Sequence, residues 1–296
     1  MIGFNGGLIG QVNSSLPQAR IPGVWTAREQ EVAKRAGRWA GQELLDTYPG
    51  STAAFSLRPL RAATSGSNLI EVRRSTDSTV NNFTAIQIID GTLTAFCGAN
   101  NSFVSKWYDQ SGSNNHAVQA NTSLQPRIVN AGVLELDAGK PAIVFGSANG
   151  VCLSPPSIIM GATAAFFSVT RHTNAGSGFS FYIGENGTSN FFVGKTSSSS
   201  LAAYINNPSG ISSTNIVQKT IAYWQLGTSI SQYKFNGSGA TLGDIVNSAN
   251  WRIGTRSSQA GQMWIGPIQE IIYYPTSQVS TNSGMISALN TYYTVF

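Results

Sequence analysis

The run "KWYDQSGSNNHAVQA" (Lys106–Ala120) packs a carboxylate, an imidazole, two aromatic rings and several amides and hydroxyls into one short stretch. Those residue types support three chemistries. Trp107 or Tyr108 can stack on a sugar face while Asp109, Asn115 and His116 hydrogen-bond its hydroxyls. Asp109, Ser111, Asn114 and Asn115 offer hard oxygen ligands of the kind calcium takes, although the EF-hand spacing is absent. Asp109 can also serve as an acid or base. A structural reading uses the same atoms: Asp109 accepts backbone N–H bonds across the turn, Gly112 supplies a permissive φ, and Asn114 and Asn115 shape the return. We expect a hydrogen-bonded turn first and a glycan-binding loop second, after a strand over Val104–Tyr108 that buries one face.

Glycoside hydrolysis usually takes two carboxyl groups, about 5–5.5 Å apart for retention or ~6.5–9.5 Å for inversion. After Arg74 the acids are Asp77, Asp90, Asp109, Glu135, Asp137, Glu185, Asp244 and Glu270. Asp109 in the run above and Glu185 in "YIGENG" are the catalytic candidates. His116 and His172, the two histidines, have no G-x-S-x-G elbow to serve. Cys97 and Cys152 lie among apolar or small residues without a basic neighbour in sequence, and are expected as buried free thiols. No cluster has zinc-ligand spacing. No cofactor is expected, calcium at the Asp109 loop being the one candidate.

Short strands must hold these residues. From about Thr47 to Phe296, runs such as "LIEVRR", "AAFFSVTR", "FSFYIG", "TIAYWQL", "SQYKF" and "GPIQEIIYY" recur between turn clusters like "NGSG" (Asn236–Gly239). Many short strands and no strand–helix alternation predict an all-β sandwich or jelly roll. Trp224, Trp251 and Trp264 fall in strand patterns and are assigned to its core. A terminal helix with Val279, Met285, Ile286 and Leu289 on its apolar face closes the domain. Charged residues are 10% of the chain, against roughly 25% in an average domain. The polar surface therefore falls to Ser, Thr, Asn, Gln and Gly, which suits a viral or extracellular β protein better than a charged cytosolic enzyme.

Residues 1–46 read differently. A Gly-, Pro- and Asn-rich arm leads into "TAREQEVAKRAGRW", where Thr26 and Glu29 form a capping-box pattern and Glu31 can pair with Arg35 across a turn. A helix from Ala27 to about Arg38 is predicted. An arm and a short helix bury no core alone, so this region is expected to dock, with Trp25, Arg28, Lys34, Arg35, Arg38 and Trp39 as anchoring residues. Residues 1–75 hold nine basic and five acidic residues, so four of the five net positive charges lie there. The nearly neutral body argues against a nucleic-acid partner. The longest mostly apolar stretch, Ser157–Val169, falls short of the ~20 residues of a membrane span, and "MIGFNGGLIG" lacks the pattern of a secretory signal.

Three resemblances follow from particular motifs. "WRIGTRSSQAGQMWIGPIQEIIYY" followed by a short helix looks like the end of laminin-G or concanavalin-A-like domains, in which two curved antiparallel sheets form a jelly-roll sandwich, many members bind glycans, and the acid at Glu270 is structural. "AAFSLRPLRAATSGSNLIEVRRSTDST", "WYDQSGSNNHAVQ" and "QPRIVNAGVLELDAGKPAIVF" are similar to the opening of the arabinofuranosidase-B-type catalytic domain, which shares that sandwich. The enzymes' nucleophile and acid fall outside the matched segment, so neither carries over. The same module, behind a Gly-rich start and a "GVW…EQ" helix, resembles a group of bacteriophage virion proteins.

That last resemblance implies a tail fibre or receptor-binding protein of the virion, with the tail favoured over the capsid. Residues 1–46 would form an anchoring arm on other virion proteins, and residues 47–296 a sandwich that recognises a host surface glycan. A homo-oligomer, favouring a trimer, would gain avidity from repeated weak sites. Capsid decoration or tail joining is the first alternative. An arabinofuranosidase-type glycoside hydrolase or depolymerase is the second.

Overall fold

Three stretches of the chain are apolar at consecutive rather than alternate positions, and a strand buries both faces only when another layer covers each side of its sheet. They become strands Ala165–Thr170, Thr220–Gln225 and Gly266–Tyr274, each buried along its whole length. The computed structural model describes residues 43–148, 150–156, 158, 163–173, 180–185, 191–195, 200–205, 207–215, 218–225, 230–231, 239–240, 251–255 and 262–296, together with the two-residue strands 8–9 and 24–25.

Numbered along the chain, the large sheet draws on β1 (Ala53–Ser56), β2 (Asn68–Arg74), β3 (Val80–Thr84), β4 (Ser102–Trp107), β5 (Arg127–Asn130), β6 (Ile143–Phe145) and β7 (Ala165–Thr170). The second sheet follows with β8 (Ser180–Glu185), β9 (Phe191–Lys195), β10 (Ser200–Ile205) and β11 (Asn207–Asn215). Then β12 (Thr220–Gln225) returns to the large sheet, β13 (Trp251–Ile253) to the small one, and β14 (Gly266–Tyr274) to the large one. The large sheet runs β12-β7-β14-β6-β5-β4-β2-β3, with β1 also on β14; the small sheet runs β11-β10-β9-β8-β13. Pairing between these strands is antiparallel throughout.

Alternation along β7 and β14 divides the core in two. Phe166, Ile271 and Tyr273 face the small sheet and join Tyr182, Ile183, Trp107, Trp224, Trp251 and Trp264. Phe167, Ile272 and Tyr274 face the opposite way, onto Met285, Ile286, Leu289 and Tyr293 of helix α4 (Asn282–Tyr293, numbered after the three short helices below). A one-residue slip of either strand would exchange the two sets. Leu44 and Leu45, numbered within the expected arm, are buried in this second core on helix α1 (Leu44–Thr47).

A jelly-roll-type sandwich of two antiparallel sheets is what the strand pattern predicts. Several details differ. Helices α2 (Ala85–Ile89) and α3 (Thr92–Cys97) cap the edge of the large sheet and were not expected, although Thr84 and Gln87 form a capping box that the sequence displays. Val279 is exposed and precedes α4, whose buried face is completed by Tyr293 instead. Trp25 pairs with Leu8 in a small antiparallel ladder. The predicted helix from Ala27 to Arg38, with Arg28, Lys34, Arg35, Arg38 and Trp39, lies outside the described residues, as does most of the predicted strand 231–235. Cys97 and Cys152 are buried and unbonded. Among the described residues no helix is long and apolar enough to cross a membrane.

Candidate functional site

The Asp109 loop is a bracket that ties the loop after β4 to β1. Asp109 Oδ1 accepts the backbone N–H of Ala54 and of Ser111, both at 2.8 Å; Oδ2 accepts the Ser111 hydroxyl at 2.7 Å and the Asn115 N–H at 2.9 Å. An ionised carboxylate has about four acceptor sites, so this one is saturated. Its neighbours extend the bracket. Asn115 Nδ2 donates to Thr52 O at 2.7 Å, and Gln110 Nε2 donates to the carbonyls of Ser56 and Arg58. The turn closes through Gly112 at φ 95° and Asn114 at φ 59°.

This geometry corrects several expected roles. Trp107 is wholly buried, with Nε1 bonded to Ser56 O, and presents no face to a sugar. Asp109 already accepts four hydrogen bonds, which leaves no free lone pair for a substrate proton, and no group of three or more His, Cys, Asp and Glu side chains that could hold a metal occurs among the described residues. His116 Nδ1 accepts the Asp109 N–H at 3.1 Å, so that lone pair is not a base; burial lowers its pKa below the ordinary histidine value. Tyr108 is half-buried, its hydroxyl on Asn82 and its ring edge-on to His116. The buried His172 faces Ser180 at 2.9 Å, but the Ser180 hydroxyl donates to Met263 O, so Nε2 is the donor and the pair is an internal hydrogen bond rather than an activated nucleophile.

The remaining acids sort by what already holds them. Asp77 binds Arg74, Glu135 binds Arg127, Asp90 caps α3 through Thr92 N, and Asp137 binds Arg171 at 2.6 Å. Glu270 is the most committed. Its Oε2 accepts from Ser56 Oγ, Arg58 Nε and Tyr293 OH at 2.8–2.9 Å, and Oε1 accepts from Arg58 Nη2 at 3.1 Å. Burial opposes the Arg58 charge, but Glu270 and the tyrosines beside it outweigh that and hold its pKa above the ordinary arginine value. Burial and the Glu270 carboxylate likewise push the Tyr293 phenol up, keeping it a donor. A register shift in β14 against β7 skips Gln269, which reaches out to the backbone of residues 137–141, while Glu270 reaches under α4. The Glu185 side chain lies outside the described residues. Its backbone ends β8 in the small sheet, opposite Trp251.

Beside this network Lys219 packs on the Tyr293 ring and donates to the Asp137 carbonyl. Burial lowers its pKa to about 8, opposed by Asp137 and aided by Lys140 and Arg171. Unfolded lysine titrates near 10.5, so between about pH 8 and 10.5 the unfolded chain binds more protons and stability from this group rises with pH. Lys219→Met should therefore raise the melting temperature at pH 7, with its advantage shrinking across that window. A difference from wild type that stays constant from pH 7 to 10.5 would contradict this.

The two-sheet, two-core architecture is a jelly-roll-type β-sandwich, and solved α-L-arabinofuranosidases share it. A mutant GH54 α-L-arabinofuranosidase soaked with 4-nitrophenyl α-L-arabinofuranoside aligns with a TM-score of 0.59 and 14% identity. A GH54 enzyme soaked with a cyclic sulfate inhibitor gives 0.58 at 14% identity, and an arabinofuranosidase complexed with arabinofuranosyl-α-1,2-xylobiose gives 0.57 at 15%. Each alignment covers 80% of this chain, which spans 62–63% of the length of those enzymes. No protein-family model matches the chain, and no curated protein does. These neighbours are glycoside hydrolases, not virion proteins. They overturn the expectation of a tail fibre or receptor-binding protein, and of a capsid-decorating or tail-joining one.

Proposed function

We propose that this chain is a carbohydrate-active domain that hydrolyses glycosides, with α-L-arabinofuranosides as the substrate class. The alignment of four-fifths of the chain with arabinofuranosidase structures carries this reading. The bonding of the acids narrows the choice of catalytic residue. A catalytic carboxyl group must be free to meet the substrate, and Asp77, Asp109, Glu135, Asp137 and Glu270 are bonded internally, while Asp90 caps a helix. Glu185, at the end of a strand in the small sheet and with its side chain outside the described residues, is the catalytic candidate we assign. Asp244, outside the described residues, is the other acid after Arg74 with no structural assignment.

The test is release of 4-nitrophenol from 4-nitrophenyl α-L-arabinofuranoside by the full chain. Glu185→Gln should lower the rate by about 10²–10⁴-fold, the usual contribution of a positioned acid or base, with the melting temperature unchanged. No hydrolysis by the folded wild-type chain would defeat the reading, and an unaltered rate in Glu185→Gln would defeat the assignment of that residue.

A further inference from the structure

Beside the Asp109 turn stands an arginine whose guanidinium is unbonded among the described residues. Leu60 N donates to Gln110 Oε1 at 2.8 Å, which brings the next residue, Arg61, against the turn. Arg61 is half-buried, and its Nε is shut off from solvent without a hydrogen-bond partner. No ion pair joins it to an acid among the described residues. A Cβ added to Gly112 would lie 3.7 Å from Arg61 Nη1 and within 4 Å of nothing else beyond its chain neighbours, so open space adjoins the guanidinium. Gly112 and Ser113 are exposed there. The same turn holds Thr52 through Asn115 Nδ2, and the Thr52 hydroxyl is also buried and unbonded.

A buried donor without an acceptor is costly, the more so on a charged group, and an acceptor that reaches Arg61 removes that cost. The acids tied to neighbouring residues do not reach it. Asp46 Oδ2 takes the N–H groups of Ala62 and Glu43, and Asp109 takes four donors of its own. Burial pushes the Tyr274 phenol up although the Arg61 charge opposes this, so that phenol stays protonated and supplies no counter-charge. A guanidinium is planar, and its paired N–H groups match two oxygens of a carboxylate or a phosphate. We propose that Arg61, beside the exposed Gly112–Ser113 tip, binds the oxyanion group of a small ligand, a carboxylate or a phosphate. Gly112 matters to it by lacking a side chain, which leaves the approach to Nη1 clear. The site is independent of the hydrolase reading.

Nuclear magnetic resonance of the isotope-labelled full chain tests it. The Arg61 Nε–H signal, assigned through its own backbone amide, should shift saturably with inorganic phosphate or with galacturonate. It should stay in place in sodium chloride of equal ionic strength. Whichever anion binds more tightly tells a phosphate ligand from a carboxylate one. Calorimetry with that anion should show binding to Arg61→Lys weakened about tenfold, because a single ammonium replaces two parallel N–H donors. Arg61→Gln, which lacks the charge as well, should bind more weakly still. No saturable shift with either anion, a shift that chloride reproduces, or wild-type affinity in Arg61→Lys would each overturn the proposal. The wild-type titration decides by itself should a variant fail to fold.

Discussion

Asp109→Ala is expected to lower stability by about 3–5 kcal/mol, the range seen when one partner of a buried charged hydrogen-bond group is removed. The truncation strands the N–H groups of Ala54, Ser111 and Asn115 together with the Ser111 hydroxyl. Ala54 is fully buried within β1, so its N–H cannot turn to water instead. For a domain of this size each kcal/mol moves the melting temperature by about 2–4 °C, so a fall of roughly 6–20 °C should appear in a thermal scan. Asp109→Asn should fall between wild type and alanine, because its amide oxygen can keep one pair of donors while its NH₂ faces the other. A loss below about 1 kcal/mol in the alanine variant would show that the bracket is dispensable.

Glu270→Ala should be as damaging, for a different reason. Arg58 would remain with 12% of its side chain exposed, its guanidinium charged and without its carboxylate. Leaving such a charge uncompensated costs about 3–5 kcal/mol, whereas replacing both partners by apolar residues is often close to neutral. Arg58→Met combined with Glu270→Met should therefore recover much of what Glu270→Ala loses. Urea unfolding of the single and double variants measures this directly. If the double variant were less stable than Glu270→Ala, the pair would be stabilising beyond the cost of an orphaned charge, through Ser56 and Tyr293, which also donate to Glu270.

The strand pattern was legible because period-two burial is a local property, as in Phe166 and Phe167 pointing to opposite cores. The Asp109 turn was legible for the same reason: Ser111 and Asn115 lie within a few residues of it. Its third backbone partner, Ala54, is 55 positions away and left no local trace. Trp107 was misassigned through a register shift. Between Lys106 and Val104, which pair with Glu71 and Val72, one residue is skipped, so Val104 and Trp107 share the buried side at a spacing of three. The Arg58–Glu270 pair spans 212 positions, and no spacing rule reaches that far.

The position of β14 in the large sheet has a consequence in time. It lies between β7 on one side and β6 and β1 on the other, yet every other strand of both sheets precedes it in the chain. Until residue 274 has left the ribosome, the two parts of the large sheet have no shared strand, and the apolar edges of β1 and β7 wait for a partner. Strand pairs this remote in sequence form slowly and expose adhesive edges meanwhile. Yield of the folded chain during synthesis should therefore depend on what shields those edges before the middle strand arrives.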